Sequence, residues 1–168
     1  ISDMESGNYK LSYIDVPCNV LGLNAINMVQ HIKPEGVELT FTSEVDDSFI
    51  IHTDQNRVEQ VLINLLTNAE KYTTQGKIWL HCSLSENPGM VTFSVTDTGT
   101  GVPAEEAEVI FERFRKLDTF KQGCGLGLNI CRIIATNMGG NVKLDTSYTE
   151  GARFVFTLPI AHNDAAES

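Results

Sequence analysis

The sequence predicts an α+β fold in which a mixed β-sheet carries its helices on one face. Three longer stretches place apolar residues at helical spacing, and six shorter stretches have the alternating or short apolar patterns of strands. These segments follow one another in the order helix, two strands, helix, two strands, glycine-rich loops, helix, two strands. A mixed sheet with helices on one face is expected, because these two layers together bury the apolar side of each helix and strand.

A short extended stretch is expected at residues 8–17, and a first helix over about residues 19–32. Its inward stripe is predicted from apolar residues at helical spacing: Val20, Leu23, Ile26 and Met28 or Val29. Residues 37–41 alternate strictly, and residues 48–52 form a second short apolar run. We therefore expect two neighbouring strands joined by an acidic turn at residues 46–47.

The helix at residues 54–73 has the strongest pattern, and Asp54 can cap its start. Apolar residues at three- and four-residue steps form one buried stripe: Val58, Val61, Leu62, Leu65 and Ala69. With about 100° between successive residues, two amides and two cations lie on one arc beside that stripe: Arg57, Asn64, Asn68 and Lys71. Tyr72 lies at the border of the arc. Amide oxygens can ligate a hard cation and the basic groups can meet its anion, so a metal-bound phosphate is predicted here; the alternative is a solvated polar edge.

The second half of the chain contains two hairpins, one further long helix and one short helix. Their predicted positions are a hairpin of strands 77–84 and 90–97, a short helix at 104–111, a helix at about 126–138, and a hairpin of strands 141–146 and 152–159. The inward residues expected in the long helix are Leu128, Cys131 or Ile130, Ile134 and Ala135. Gly139 and Gly140 end it.

The composition excludes several functional classes. The chain has 168 residues, which suits one domain, and its formal net charge is −10, whereas a nucleic-acid partner requires a concentrated basic face. Four basic residues nevertheless lie within nine positions and allow a local anion site: Arg113, Arg115, Lys116 and Lys121. The four cysteines have neither disulfide nor metal-ligand spacing, and no apolar run approaches about 20 residues. A soluble chain from a reducing, cytoplasmic compartment is therefore expected.

A predicted strand ends at Asp97, and Gly99 and Gly101 follow it closely. A carboxylate at a strand end supplies a fixed hydrogen-bond acceptor, and the glycines let a flat molecule approach the backbone. The amino group of adenine would suit this acceptor. The alternative is a tight turn that carries a solvated aspartate.

A second glycine set, at residues 123–127, leads directly into the predicted helix at 126–138. Backbone amides at a helix N-terminus attract anions, so a triphosphate could bind here; the alternative is a structural hinge. Between the two glycine sets lie Phe111 and Phe114, with cations nearby. Such aromatic residues can fix a loop to the core, and the cations can reach a terminal phosphate if the loop folds over it.

In this order, the patterns N-x-x-x-N-A-x-K-Y, D-x-G-x-G, F-x-x-F and G-x-G-L-G-L resemble the catalytic ATP-binding domain of bacterial sensor histidine kinases. These domains belong to the superfamily that also contains gyrase, Hsp90 and MutL. The resemblance covers about residues 8–160, with an N box at 64–73, a G1 box at 97–103, an F box at 111–114 and a G2 box at 123–128. It implies a two-layer α/β sandwich, the Bergerat ATP-binding fold, with about five main strands and three main helices on one face.

The resemblance implies ATP and Mg²⁺ as cofactors. Asn68 would ligate Mg²⁺, Asp97 would accept from the adenine amino group, and Lys71 with Tyr72 would contact phosphate or ribose. The G1 glycines would shape the base pocket, the G2 glycines would present amides to the phosphates, and residues 112–124 would form a mobile lid. The implied cofactor-binding set is Asn64, Asn68, Lys71, Tyr72, Asp97, Gly99, Gly101, Phe114, Gly123, Gly125, Leu126 and Gly127. The implied catalytic set is Asn64, Lys71, Arg115 and Lys116.

Asn64 distinguishes transfer from hydrolysis. Gyrase-like relatives have a glutamate four residues before the metal-binding asparagine, where it activates water, and that position here is Asn64. A carboxamide cannot accept this proton, so transfer to a separate nucleophile is favoured. The lid departs from the family pattern, because Arg115 and Lys116 follow Phe114 where a tyrosine and an arginine are usual. Which of the two cations serves the terminal phosphate stays open.

The resemblance also implies partners. Residues 1–7 would end an upstream dimerisation and phosphoacceptor helix, residues 8–160 would form the ATP-binding domain, and residues 161–168 would be a polar tail. None of the four histidines has the phosphoacceptor motif around it, so the acceptor would lie in that upstream domain. The expected partners are this domain and a response regulator receiver domain, in a homodimeric, membrane-anchored bacterial sensor whose ATP-binding part is cytoplasmic and monomeric by itself. The alternatives are a non-catalytic nucleotide sensor and an anti-sigma-type serine kinase.

Overall fold

The computed structural model describes residues 11–112 and 127–161. Within these residues the order of elements is β1, α1, β2, β3, α2, β4, β5, α3, β6 and β7. Their bounds are β1 Ile14–Pro17, α1 Cys18–Val29, β2 Val37–Ser43, β3 Ile50–Thr53, α2 Gln55–Tyr72, β4 Gly76–Leu84, β5 Met90–Asp97, α3 Gly127–Asn137, β6 Asn141–Leu144 and β7 Arg153–Pro159. None of the helices in these two ranges is long and apolar enough to cross a membrane.

The main sheet contains five strands in the order β2-β4-β5-β7-β6. The β2–β4 pair is parallel and the other three pairs are antiparallel, so the sheet is mixed as predicted. Leu80, Val95 and Phe154 are paired across β4, β5 and β7 and are fully or almost fully buried. Helix α1 packs on β2 and β4, α2 on β4 and β5, and α3 on β6 and β7. The two-layer α+β prediction with three main helices is therefore confirmed.

The prediction that residues 37–41 and 48–52 are neighbouring strands was wrong. β2 pairs in parallel with β4 from Val37 opposite Gly76 to Ser43 opposite Cys82, and α2 supplies the crossover that a parallel pair requires. β3 instead pairs antiparallel with β1 in a separate two-stranded sheet, using part of the predicted extended entry. Alternation of apolar residues identifies a strand but does not identify its partner.

The inward stripe of α1 is rotated from the predicted one. Leu23 and Met28 are 48% and 61% exposed, whereas Ile26 and Val29 are buried as expected. A Cβ atom on Gly22 would lie 2.4 Å from the Phe41 ring, so the Gly22 side of the helix lies directly on β2. The buried face also has apolar residues at helical spacing, which are Cys18, Leu21, Ala25 and Val29. The spacing therefore allowed two stripes, and the predicted one was wrong in phase.

The start and buried stripe of α2 agree with the prediction. The Asp54 side chain accepts a hydrogen bond from the backbone N–H of Arg57 at 3.0 Å, and the five predicted stripe residues are at most 2% exposed. The predicted short helix at 104–111 is instead two 3₁₀ turns, Ala104–Glu106 and Val109–Phe111. The predicted inward residues of α3 are buried.

Glu70 is a buried carboxyl group near the end of α2. It is 7% exposed, and its Oε2 has no hydrogen-bond partner among the described residues. Loss of solvation raises the pKa of Glu70 to about 7, and the nearby charge of Lys33 opposes this only in part. The folded chain therefore holds this proton more tightly than the unfolded chain does.

We predict that Glu70→Gln makes the protein more stable at pH 8 and flattens its pH dependence. With a folded pKa above the ordinary 4.5, the contribution of this group is fully present below about pH 4.5 and is lost as the pH rises through about 7. The gain at pH 8 should be about 1 to 3 kcal/mol, measured by urea unfolding across this range. The exposed Glu38→Gln provides the same charge change as a control. Identical pH profiles for the wild type and Glu70→Gln would contradict the prediction.

Candidate functional site

A cavity of about 550 Å³ lies between the C-terminal half of α2, the loop after β5 and the start of β7. Five predicted site residues line it: Asn68, Lys71, Tyr72, Asp97 and Gly101. Their sequence separation shows that the fold brings the predicted N and G1 boxes to one place. The cavity is large enough to enclose part of a nucleotide-sized ligand.

Asp97 is the last residue of β5 and is only 3% exposed. Its Oδ1 accepts hydrogen bonds from the backbone N–H groups of Gly99 at 2.9 Å and Ala152 at 3.1 Å. Burial raises the pKa of Asp97 above its ordinary value, and the two hydrogen bonds offset only part of this rise. Oδ2 makes no hydrogen bond within the described part of the chain. The carboxyl group therefore has one oxygen fixed by the backbone, and its second oxygen makes no hydrogen bond to a described residue that would compete with a ligand.

The loop after β5 is pressed closely onto its neighbours. A Cβ atom on Gly99 would lie 2.2 Å from the carbonyl oxygen of Tyr72, and that same oxygen accepts a hydrogen bond from the N–H of Thr100 at 3.3 Å. Gly101 has φ +77°, and a Cβ atom there would lie 2.9 Å from the carbonyl oxygen of Gly151. Gly99 does not itself line the cavity, but its lack of a side chain allows the contact that shapes it.

The predicted polar arc of α2 is divided by its neighbours. Asn68 and Lys71 line the cavity, whereas Asn64 lies beside α3, where a Cβ atom on Gly127 would be 3.6 Å from the Asn64 Cβ. Arg57 donates through Nη1 to Gln60 Oε1 at 3.1 Å and does not line the cavity. The arc is continuous on the helix surface, but α3 packs against α2, so only its C-terminal part reaches this cavity.

Part of the predicted site lies outside the described residues. This group comprises Phe114, Arg115, Lys116, Gly123, Gly125 and Leu126, together with most of the predicted lid. Of the G2 glycines, Gly127 is described, and it is the first residue of α3. The described geometry therefore concerns the end of the site near Asp97 and the side chains of α2.

Several residues of the cavity were missed by sequence reasoning. Ala152 directly precedes β7 and Phe154 lies near its start, and the sheet places β7 beside β5. Phe111 meets Phe154 edge to face, with the ring centroids 6.1 Å apart. The Arg132 guanidinium lies 3.9 Å from the centroid of the Phe111 ring, so Phe111 is fixed to the core as expected for the F box. Thr100, Val102 and Pro103 also line the cavity and lie within the predicted G1 box, whereas Thr74, Glu105 and Glu106 were not predicted.

The donor groups fit a metal ion that arrives with its ligand. Within residues 11–112 and 127–161, no group of three His, Cys, Asp or Glu side chains could hold a metal. Asn68 supplies one amide to the cavity beside the cation of Lys71. Mg²⁺ is commonly bound by few protein groups together with water and substrate phosphates, so a site of this kind suits phosphate-bound Mg²⁺.

The chain matches a known protein family over the residues that line the cavity. The model of the family described as histidine kinase-, DNA gyrase B-, and HSP90-like ATPase matches residues 53–162. Sensor protein EvgS of Escherichia coli O157:H7 is 31% identical over 173 residues, which cover 95% of this chain and 14% of EvgS. Adaptive-response sensory kinase SasA of Nostoc sp. is 41% identical over 112 residues, which cover 66% of this chain and 28% of SasA. The chain thus spans less than a third of the length of these relatives.

Solved structures show the same fold. The nucleotide-free catalytic domain of histidine kinase ThkA is 27% identical with a TM-score of 0.79, over 90% of this chain and 97% of that one. Full-length ShkA in complex with AMPPNP is 31% identical with a TM-score of 0.82, over 96% of this chain and 34% of that one. ThkA shows that nearly the whole of a solved catalytic domain corresponds to this chain.

We predict that Gly101→Ala destabilises the protein by about 1 kcal/mol or more beyond the effect of Gly89→Ala. Both glycines have positive φ, +77° and +83°, but a Cβ atom at Gly89 would meet nothing within 4 Å. The Gly89 variant therefore measures backbone strain alone, and the difference reports the contact with Gly151. Urea unfolding measures the stabilities, and amide hydrogen exchange at Gly99 and Ala152 should be faster only in the Gly101 variant. Equal losses of stability would show that this contact does not constrain the loop.

Proposed function

The chain belongs to the histidine kinase-, DNA gyrase B- and HSP90-like ATPase family, as a catalytic ATP-binding domain of the histidine kinase kind. On this basis we propose that it binds Mg²⁺-ATP in the cavity at Asp97 and donates the γ-phosphoryl group to a histidine of a separate phosphoacceptor domain. The observation that carries the proposal is the Asp97 carboxyl group, which is held by two backbone N–H groups and retains one oxygen for a ligand.

Asp97 supports adenine as the bound base. Its available oxygen accepts a hydrogen bond, as the 6-amino group of adenine requires, whereas the 6-oxo group of guanine would place two acceptors together. Val102, Ala152 and Phe154 supply apolar surface in the same cavity, which suits the faces of a flat ring. Burial of the carboxylate strengthens the preference for adenine over guanine, because water cannot easily replace the hydrogen bond that the adenine amino group would donate.

The polar end of α2 supports the assignment of the phosphates. Lys71 lines the cavity one turn after Asn68, so a cation and an amide lie on the same face of the helix. Asn68 would hold Mg²⁺ through its amide oxygen, and bound Mg²⁺ would offset the charge of the phosphates. Gly127 would present its backbone at the start of α3, with Arg115 or Lys116 serving the terminal phosphate.

Asn64 supports transfer over hydrolysis. The position that would hold a water-activating glutamate in gyrase-like relatives has a carboxamide, which cannot act as a general base at neutral pH. Asn64 is also half-buried beside Gly127 rather than in the cavity described above. The γ-phosphoryl group is then best passed to an external nucleophile whose position the two domains set together.

The partners proposed for the whole protein follow from this chemistry. The chain covers 14% of EvgS and 28% of SasA, which leaves room for many further segments in proteins of that kind. We propose an upstream phosphoacceptor domain that dimerises, a receiver domain whose aspartate takes the phosphoryl group, and a membrane-anchored sensor with this domain in the cytoplasm. No nucleic-acid partner is proposed, in keeping with the net charge of −10.

We predict that this chain transfers labelled γ-phosphate from Mg²⁺-ATP to a supplied histidine-bearing helical domain, and that Asn68→Ala lowers the transfer rate about 100-fold or more. Loss of the metal-ligating amide removes charge compensation at the phosphates. The exposed asparagine Asn56 of α2 gives a matched control, because Asn56→Ala makes the same truncation outside the cavity. Phosphate bound to histidine is labile in acid and stable in alkali.

Each outcome of this experiment separates the candidate functions. Acid-labile label on the acceptor, lost in Asn68→Ala and kept in Asn56→Ala, is the expected result. ATP binding without transfer to any histidine domain tested would favour a nucleotide sensor. Acid-stable label would favour a serine kinase and would contradict the proposal.

A further inference from the structure

Tyr148 contacts the adenine-binding residue from outside the cavity. It lies in the turn between β6 and β7, and its hydroxyl donates to the backbone carbonyl oxygen of Asp97 at 3.0 Å. Tyr148 itself lines a different cavity, of about 340 Å³, on the other side of the Gly101 loop. It is therefore placed to affect Asp97 without touching a ligand bound in the larger cavity.

Arg153 and Asp145 hold Tyr148 in place. The Arg153 guanidinium lies 4.5 Å from the centroid of the ring, and Arg153 Nε donates to Thr96 Oγ1 at 3.0 Å. Arg153 Nη1 is also 3.7 Å from Asp145 Oδ2, and the Tyr148 N–H donates to the Asp145 carbonyl oxygen at 3.3 Å. Because Thr96 directly precedes Asp97, the same arginine ties the ring to the strand that carries the acceptor.

The hydroxyl of Tyr148 is protonated at neutral pH and can donate a hydrogen bond. Burial raises the pKa of Tyr148, and the nearby charges of Glu150 and Asp97 add to this, while Arg153 opposes it. The phenol thus stays protonated at neutral pH and can donate to a carbonyl oxygen. The backbone geometry adds a second constraint, since a Cβ atom on Gly151 would lie 2.0 Å from that same carbonyl oxygen.

With this hydrogen bond, Asp97 is fixed through three of its atoms by four hydrogen bonds. Its N–H donates to Ala152 O at 2.9 Å, its carbonyl oxygen accepts from Tyr148, and its Oδ1 accepts from two backbone N–H groups. The peptide group that follows Asp97 leads directly into the loop that supplies the Gly99 N–H. Rotation of that peptide would therefore move a donor that orients the carboxylate.

We propose that Tyr148 is a positioning residue for recognition of the adenine amino group, acting through the Asp97 backbone. The inference rests on the proposed function, because it assigns the available oxygen of Asp97 to that amino group. Its effect should appear in base discrimination, whereas phosphate binding through α2 should not change.

The test compares two nucleotides by calorimetry with Mg²⁺ present: ATP, and purine riboside triphosphate, which lacks only the 6-amino group. Tyr148→Phe retains the ring beneath Arg153 and removes the donor. We expect its dissociation constant for ATP to rise about 5- to 10-fold, with the constant for the analogue unchanged within about twofold. Thr149→Ala, an exposed residue of the same turn, should match the wild type for both nucleotides. Asp97→Ala serves as the reference variant, in which the preference for ATP over the analogue should be lost completely.

The other outcomes overturn the inference in distinguishable ways. Equal weakening of both nucleotides in Tyr148→Phe would assign the tyrosine a general structural role. Unchanged binding of ATP in Tyr148→Phe and in Tyr148→Leu, with the preference lost in Asp97→Ala, would remove Tyr148 and keep the adenine assignment. If the wild type and Asp97→Ala show no preference for ATP, the proposed base site fails and the inference fails with it.

Discussion

The hydrogen bonding of Asp97 is the constraint on which the candidate site depends. β5 lies between β4 and β7 in the sheet, and Asp97 ends it with bonds to Gly99 in the following loop and to Ala152 before β7. These bonds use backbone groups, so they fix the position of the carboxylate independently of flexible side chains. They also require close backbone contact, which is why glycine stands at positions 99 and 151.

Helix α2 connects this constraint to the remainder of the fold. Its apolar stripe is buried against the sheet, and its polar edge reaches two different surroundings, the cavity at Asn68 and Lys71 and helix α3 at Asn64. The cavity is thus lined by a carboxyl group from the end of β5 and by a cation and an amide from α2. In the proposed function, base recognition and charge compensation are therefore assigned to separate elements of one packed core.

The local parts of the site could be predicted from the sequence, and the parts made by strand pairing could not. Asn68, Lys71 and Tyr72 follow from the phase of one helix, and Asp97 follows from a strand end with glycines after it. Ala152 and Phe154 give no such signal, because only the β5–β7 register brings them to Asp97. The same limit explains the error for β2 and β3: alternation in the first and an apolar run in the second predict strands but do not indicate their partners.

The most direct test of this account is the base preference of Asp97→Asn. Because Oδ1 accepts from two backbone N–H groups, the amide oxygen of the variant should take that place and turn its NH₂ group toward the cavity. Binding of Mg²⁺-ATP should then weaken about 10- to 100-fold, while inosine triphosphate, which has a 6-oxo acceptor, should bind at least as well as to the wild type. The exposed Asp15→Asn controls for the charge change. If Asp97→Asn keeps the wild-type preference for ATP, Asp97 is not the adenine acceptor and the account is contradicted.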